Sequence, residues 1–121
     1  MDSSVVLAIA FAERGAPSLA KRMKAFQRLC SAPFLEAEVL AAVRREKRTL
    51  DEDWVSALTW VHPERPLRQE IARVLGAGYL RGADCWHLAT ALYLATDPRK
   101  LTFLTLDARQ RDVATALGFA T

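Results

Sequence analysis

Carboxylate side chains in separate segments are the residues of this sequence most able to do chemistry. Asp84 lies at the start of an apolar helical stretch, and Asp107 follows the strand-like run at residues 103–106. Ligands bind at the carboxyl ends of strands in open parallel sheets, which favours a site at Asp107. Both residues also suit the first turn of a helix, where a carboxylate interacts with free N–H groups. Their chemistry therefore depends on which other acids they meet.

Two glutamates, Glu36 and Glu38, interrupt the apolar first half of a helix predicted over residues 34–48. They are about 200° apart around a helix, so at most one of them faces a given site. Their helical neighbours do not decide between them. Asp2 precedes two serines and an apolar run, and alone it indicates a helix cap.

Helices alternate with short apolar segments, which predicts an α/β fold whose parallel sheet is covered on both faces. Strands are predicted over residues 58–62 and 101–106. The first apolar segment is either a helix over residues 3–13 or a strand over residues 5–9. Helices are predicted over residues 19–29, 34–48, 82–95 and 107–117, and Gly118 ends the last of these. A short helix is predicted around Trp54, with Asp51 as its cap. Another is predicted to begin at Pro66 and to end at Gly76 or Gly78.

Length and composition indicate a single domain over residues 1–121, with 51% hydrophobic and 26% charged residues. The longest uncharged apolar run, residues 5–12, is far shorter than the roughly 20 residues of a membrane-spanning helix. No basic region precedes it, which argues against a secretory signal. Cys30 and Cys85 are too few for a disulfide scaffold. We therefore expect a cytoplasmic protein without a membrane segment.

Four segments occur in an order that carries more information than any one of them. They are DSSVVL from residue 2, SAPFLEAEVLAAV from residue 31, LRGADCWHLATAL from residue 80 and LTFLTLDAR from residue 101. This pattern resembles the PIN-domain family, most closely the small VapC-type toxin ribonucleases of type II toxin–antitoxin systems. The resemblance covers nearly the whole chain.

The resemblance implies a three-layer α/β/α sandwich with a central parallel sheet of about five strands. It implies one metal pocket lined by four catalytic acids: Asp2, Glu38, Asp84 and Asp107. Glu38 is chosen over Glu36 because the family's glutamate precedes an aliphatic pair and then small residues. Ser4 and Thr105 fall at positions whose hydroxyls hold the carboxylates by hydrogen bonds.

Clustered carboxylates repel one another, and a divalent cation relieves that repulsion. All-oxygen ligands favour Mg²⁺ or Mn²⁺, and the two histidines and two cysteines have no paired spacing for zinc. His87 lies one turn after Asp84 and can approach the pocket, although such a histidine more often serves packing. The implied activity is that of a metal-dependent endoribonuclease, which hydrolyses RNA phosphodiester bonds.

The positive net charge of +3 is compatible with an RNA substrate without establishing it. Arg81, Arg109 and Arg111 flank the acidic motifs and are candidates for phosphate contacts, with surface solvation as the alternative. The resemblance also implies a homodimer and a cognate antitoxin protein. The antitoxin would lie in an apolar groove formed by Phe11, Leu19, Met23 and Phe26.

One departure from the family concerns the first acid, which normally ends a central strand, whereas only Met1 precedes Asp2. Either the first strand is a stub or the natural chain extends upstream of Met1. A catalytically weak or inactive PIN-like binding module, acting through a protein partner, is therefore the alternative function. A phospho-acceptor receiver domain lacks its paired acids and lysine here, and a purely structural role for every acid does not explain Glu38 in mid-helix.

Overall fold

A computed structural model describes residues 1–51 and 53–121. Its α-helices are α1 (Ser3–Ala10), α2 (Ala16–Lys24), α3 (Phe34–Arg45), α4 (Asp53–Ser56), α5 (Arg68–Ala77), α6 (Gly82–Leu94) and α7 (Ala108–Ala116). Two strands, β1 (Cys30–Ser31) and β2 (Thr59–Trp60), and a 3₁₀ turn at Pro98–Lys100 complete the regular elements described. The α/β class is confirmed.

The first apolar segment is helical, so the alternative of a strand over residues 5–9 is wrong. The Asp2 carboxylate caps α1, where its Oδ2 accepts a hydrogen bond from the Ser4 N–H at 3.1 Å. A side-chain cap satisfies one of the free N–H groups of a first turn, and this favours helix over strand. The predicted cap is therefore present.

Three predicted helices end two or more residues earlier than expected, and the first of them, α1, ends at Ala10 rather than at residue 13. Helix α2 ends at Lys24 rather than at residue 29, because Leu29 joins the sheet and its carbonyl accepts from the Thr59 N–H at 2.8 Å. Helix α3 ends at Arg45 rather than at residue 48, and Lys47 follows with a positive φ of 51°, which leaves the helical region. At the end of α7, Gly118 takes the predicted left-handed conformation with a φ of 97°.

The regular sheet has two strands rather than about five. Strands β1 and β2 pair in parallel, with Cys30 opposite Thr59 and Ser31 opposite Trp60. A further parallel bridge joins Thr102 to Ala120, and no other strand pairing occurs within residues 1–51 and 53–121. The strand predicted over residues 101–106 is therefore reduced to a single bridge.

Residues 1–2 connect these two pieces of β-structure as an extended stub. The Met1 nitrogen donates to the Cys30 carbonyl at 3.0 Å, and the Asp2 N–H donates to the Leu104 carbonyl at 2.9 Å. The stub makes a single main-chain hydrogen bond to each neighbour, so it does not count as a regular strand. It nevertheless places Asp2 between β1 and the extended residues 102–104.

Two apolar cores hold the helices around these extended segments. The larger core packs α5, α6 and α7 around Val74, Leu88 and Phe103, each no more than 2% exposed. The second core packs α1 against α3 through Leu35 and Val39, both fully buried. Each core therefore anchors a helix that carries a candidate acid: α6 carries Asp84 and α3 carries Glu38.

The longest described helix, α6, has 13 residues. No helix within residues 1–51 and 53–121 has the length and apolarity needed to cross a membrane.

Candidate active site

The Asp2 side chain is held from two sides and is only 4% exposed. Its Oδ2 accepts from the Ser4 N–H, and the Thr105 hydroxyl donates to the same oxygen at 3.4 Å. Its Oδ1 lies 3.9 Å from Nε2 of His87. The helix cap and the site residue are thus one carboxylate, because each of its two oxygens faces a different partner.

Glu38 faces the same site from α3, whereas Glu36 lies exposed in the first turn of that helix. The Glu38 Oε2 lies 2.6 Å from Nε2 of His87, whose side chain is only 1% exposed. His87 also packs beside Phe34, with ring centroids 6.2 Å apart. A charge-assisted contact of this length holds the Glu38 carboxylate in one position.

Asp2, Glu38 and His87 form a compact group in which one ligand atom from each lies within 4.8 Å of the others. The contact between His87 and Glu38 was not predicted from the sequence. The available signal was the position of His87 one turn after Asp84, which also suits a packing residue. Only the tertiary structure brings α3 against α6 at this point.

Asp84 lies in the first turn of α6, beside this compact group rather than within it. Burial raises the pKa of Asp84, and the negative charges of its acidic neighbours raise it further. These neighbours are Asp2, Asp107 and Glu38, in decreasing order of effect, and His87 partly offsets them. The pKa of Asp84 is thus influenced by all three other candidate acids.

Asp107 caps α7 and is exposed at the rim of the site. Its Oδ1 accepts from the Gln110 N–H at 2.7 Å, so the alternative role of a helix cap is present. The Asp107 N–H donates to the Thr105 hydroxyl at 3.1 Å. Because that hydroxyl also donates to Asp2, Thr105 links two of the candidate acids directly.

Ser4 acts differently from Thr105. Its backbone N–H, and not its hydroxyl, binds Asp2, and the hydroxyl accepts from the Leu106 N–H at 3.0 Å. The expected hydroxyl-to-carboxylate bond of Ser4 is therefore replaced by a bond that holds the loop before α7. This loop bond stabilises the approach of Asp107 to the start of α1.

Comparison with known protein families identifies the family of this chain. A family model described as PIN domain matches residues 1–116. The chain belongs to the PIN-domain family. No curated protein and no solved structure matches it.

The PIN domain is a nuclease fold, and its members bind a divalent metal through acidic residues. The donors in this chain fit such an ion, since carboxylate oxygens suit hard divalent cations. Burial raises the pKa of Asp84 most, the charges of Asp2, Asp107 and Glu38 raise it further, and a cation relieves that repulsion. His87 suits an outer role, in which a neighbouring group orients a carboxylate ligand.

Gln110 is a residue of the PIN site that the sequence reasoning missed. It is fully buried, and its Nε2 donates to the Asp84 carbonyl at 3.1 Å. Its Oε1 finds no partner among the described residues. Asp107 and Gln110 have the spacing of a capping box, which was the available signal. The Gln110 side chain, however, reaches α6 instead of the backbone of its own helix.

The three candidate arginines lie exposed near the acidic residues of the PIN domain. Arg81 directly precedes α6, whereas Arg109 and Arg111 lie on α7. The Arg111 guanidinium donates to the Thr105 carbonyl at 3.3 Å, which keeps one positive charge beside the acids. No described contact ties Arg81 or Arg109 to a carboxylate, and their contact with phosphate stays a prediction.

Proposed function

We propose that this PIN domain is a metal-dependent endoribonuclease that hydrolyses RNA phosphodiester bonds. The observation that carries the proposal is the meeting of carboxylates from separate segments: Asp2 and Glu38 have ligand atoms within 4.8 Å of each other, and the charges of Asp2, Asp107 and Glu38 add to burial in raising the pKa of Asp84. Four separated segments supply these carboxylates. Among the described residues, His87 is the only basic side chain within ion-pair distance of these four acids, and no Lys or Arg pairs with them, which favours a cation site over a set of structural ion pairs.

Asp2, Glu38, Asp84 and Asp107 would hold the cation, and their oxygens favour Mg²⁺ or Mn²⁺. When bound, such an ion supplies charge stabilisation for the phosphoryl oxygens and lowers the pKa of water. The chain itself orients the acids: His87 holds Glu38, and Thr105 holds Asp2. Arg81, Arg109 and Arg111 would attract the phosphate backbone, since guanidinium groups match phosphate geometry.

The direct test is cleavage of single-stranded RNA by the purified protein. We expect cleavage with Mn²⁺ or Mg²⁺ and none in excess EDTA, with activity restored when metal is added back. An Asp84→Asn protein prepared in the same way controls for contaminating ribonucleases. Cleavage that persists equally in EDTA and in this variant would contradict the proposal.

We also propose that the protein is the toxin of a toxin–antitoxin pair, with a protein antitoxin as partner. The groove residues Phe11, Leu19, Met23 and Phe26 are all half-buried rather than buried in the core. A cavity of about 550 Å³ is lined by two of them, Met23 and Phe26, together with Ile9 and Ala20. A helix of the antitoxin would place its apolar anchors there.

Two variants of α2 test this groove. Met23→Asp adds a charge inside the groove, whereas Ser18→Asp adds the same charge at an exposed position of the same helix. With the antitoxin encoded beside this gene, Met23→Asp is expected to weaken binding at least about tenfold and to spare RNA cleavage. Equal affinity of both variants would place the antitoxin elsewhere.

The same proposal includes a homodimer and a cytoplasmic location. Leu75 and Tyr79 support an interface, because they are 46% and 71% exposed in the single chain. Free thiols at Cys30 and Cys85 suit a reducing compartment. Light scattering during gel filtration measures the mass directly, and a monomer at micromolar concentration would remove the homodimer from the proposal.

A second candidate function is a PIN-like binding module with little or no catalysis. The observation that favours it is the contact between His87 and Glu38, which already occupies one candidate metal ligand. A module of this kind would bind the antitoxin normally but cleave no RNA at saturating Mn²⁺. Isothermal titration with Mn²⁺ alone separates the two functions, because only the nuclease requires a metal complex.

A further inference from the structure

Phe34, the first residue of α3, is 47% exposed although its side chain is large and apolar. The neighbouring Leu35 and Val39 are fully buried in the core that α3 forms with α1. Phe34 precedes Glu38 by four residues, so the two side chains share one face of α3, with Cβ atoms about 5–6 Å apart. An exposed aromatic ring therefore lies beside a candidate metal ligand.

The ring of Phe34 is supported by a residue of the site. It packs beside His87, with ring centroids 6.2 Å apart and ring planes inclined by 50°. The His87 side chain is buried, and its Nε2 lies 2.6 Å from Oε2 of Glu38. His87 therefore holds the carboxylate and supports the ring, and the remainder of the ring faces solvent.

A positive charge lies at the opposite end of the site. The Arg81 carbonyl accepts from the Cys85 N–H at 2.8 Å, so the helical register of α6 begins at Arg81. Arg81, Asp84 and His87 follow one another at intervals of three residues, about 4.5 Å each along the helix axis. The order along the site is thus a guanidinium, a carboxylate, and the imidazole that supports Phe34.

This order matches the two chemical parts of a nucleic acid strand. Guanidinium groups and carboxylate-bound cations interact with phosphates, whereas an aromatic ring stacks on the face of a base. Bases inside a double helix already stack on one another, but those of a single strand can turn outward. Because one sugar joins a base to its phosphate, a phosphate at the acids brings a base within reach of Phe34.

We propose that Phe34 is a stacking platform for one unpaired base beside the scissile phosphate, so that the site selects single-stranded over double-stranded RNA. The proposal rests on the nuclease function proposed above, because a phosphate held at the acids sets the place of the base. Stacking uses the face of a base and not its edge, so preference among the bases should be weak. Phe34 binds the substrate and takes no part in breaking the bond.

The test compares two labelled six-nucleotide strands: hexa-adenylate, and an abasic strand with the same sugars and phosphates but no bases. Fluorescence anisotropy measures their binding in Ca²⁺, whose looser coordination geometry disfavours cleavage, and gel electrophoresis verifies that the strands stay intact. Phe34→Ala should weaken binding of hexa-adenylate about tenfold and that of the abasic strand less than about twofold. Phe34→Trp should keep the affinity, because its indole also offers an aromatic face.

Leu40→Ala is the matched control for the loss of exposed apolar surface. Leu40 is also 47% exposed on α3, but it lies six residues after Phe34 and therefore on another face of the helix. This variant should bind hexa-adenylate as the unmodified protein does. Equal weakening by Leu40→Ala and Phe34→Ala would overturn the assignment to Phe34.

The abasic strand separates stacking from a structural role of Phe34. If Phe34 only held His87 in place, its loss would disturb the metal site and weaken both strands alike. Equal loss for both strands, or unchanged binding of hexa-adenylate by folded Phe34→Ala, would overturn the stacking platform and leave the nuclease proposal standing. Failure of the unmodified protein to bind either strand would overturn both proposals.

A blunt-ended RNA duplex tests the selection of single strands. Its bases are stacked on one another, so Phe34→Ala and the unmodified protein should bind it equally. A loss for the duplex as large as that for hexa-adenylate would overturn this selection.

The ring signals of ¹³C-labelled phenylalanine give a direct readout of stacking. With Ca²⁺ and hexa-adenylate, the Phe34 signals should shift upfield because of the ring current of the adenine, and the abasic strand should not produce this shift. The buried Phe103 and Phe119 are internal controls. A complex with hexa-adenylate in which the Phe34 signals do not shift would overturn the proposal.

Discussion

The two ends of the stub formed by residues 1–2 meet opposite environments. At its carboxyl end, Asp2 joins Glu38 and His87 in a polar site where each side chain has a fixed partner. At its amino end, an apolar cleft of about 170 Å³ lies between β1 and residues 101–104, with Ala91 and Phe119 among its lining residues. The same extended neighbours, β1 and residues 102–104, flank both places.

This difference shows that positioning a carboxylate requires less structure than completing a sheet. One helix cap, one hydroxyl and one main-chain bond suffice to hold Asp2. A complete sheet needs several successive residues that bond on both sides. The polar site should therefore respond to changes of side chains, and the cleft to changes that fill space or remove main-chain bonds.

The largest expected effect separates the two regions by activity. Asp84→Asn keeps the side-chain shape but removes a charge that would hold the metal, so RNA cleavage should fall at least about a hundredfold. Ala91→Phe in the cleft and Glu36→Gln at an exposed position of α3 should cleave at the normal rate. Initial rates at saturating Mn²⁺ measure all three variants. A comparable loss in Ala91→Phe would show that the regions are not independent.

The next effect tests whether His87 positions Glu38. His87→Ala removes the partner of Glu38, and the apparent Mn²⁺ affinity should fall about tenfold, as is common for outer partners of metal ligands. His87→Gln should restore part of this affinity, because its amide can donate to the carboxylate. His62 is exposed, so His62→Ala is the matched control. An unchanged Mn²⁺ titration in His87→Ala would limit His87 to a packing role.

A smaller effect concerns the hydroxyl that links the acids. Thr105→Val keeps the shape but leaves Asp2 and the Asp107 N–H without this partner, which should lower the free energy of unfolding by about 1–2 kcal/mol. Thr102→Val, at the cleft, should change it by less than about 0.5 kcal/mol because no described bond uses that hydroxyl. Urea unfolding in EDTA measures both variants. Equal destabilisation would remove the distinction drawn between the two regions.

The smallest effect is the pH dependence of the metal-free protein. The folded-state pKa of Asp84 is raised, so the folded state binds its proton more tightly than the unfolded state does. This group therefore stabilises the fold below the ordinary carboxyl pKa, and the contribution is lost as the pH rises through the raised folded value. In EDTA, Asp84→Asn should be the more stable protein at neutral pH, and its advantage should shrink on acidification.

Unfolding curves at several pH values, with the Glu36→Gln protein as control, measure this difference. Saturating Mn²⁺ should reverse the order, because binding to the folded state stabilises the unmodified protein more. An Asp84→Asn advantage that is independent of pH would mean that repulsion at this carboxylate is not its source.

Local signals in the sequence predicted the helices that carry Asp84 and Asp107. The predicted range 82–95 differs by one residue from Gly82–Leu94, because apolar periodicity and a first-turn acid act within the helix itself. The helix after Asp107 follows from its cap and from Gly118, which are equally local. The order of the acidic segments also predicted the PIN family, which the family match confirms.

Only the tertiary structure decided the sheet and the inner contacts of the site. Strands β1 and β2 have two residues each, and their length depends on partners that are distant in the chain. Glu38 rather than Glu36 meets His87 because α3 packs with Leu35 and Val39 inward, and Gln110 reaches Asp84 because α7 lies beside α6. The sequence by itself determined which residues can cap, bury or carry charge, since these are properties of short segments. Which of these residues contact one another depends on how segments that are distant in the chain pack together, and this packing cannot be read from any one short segment.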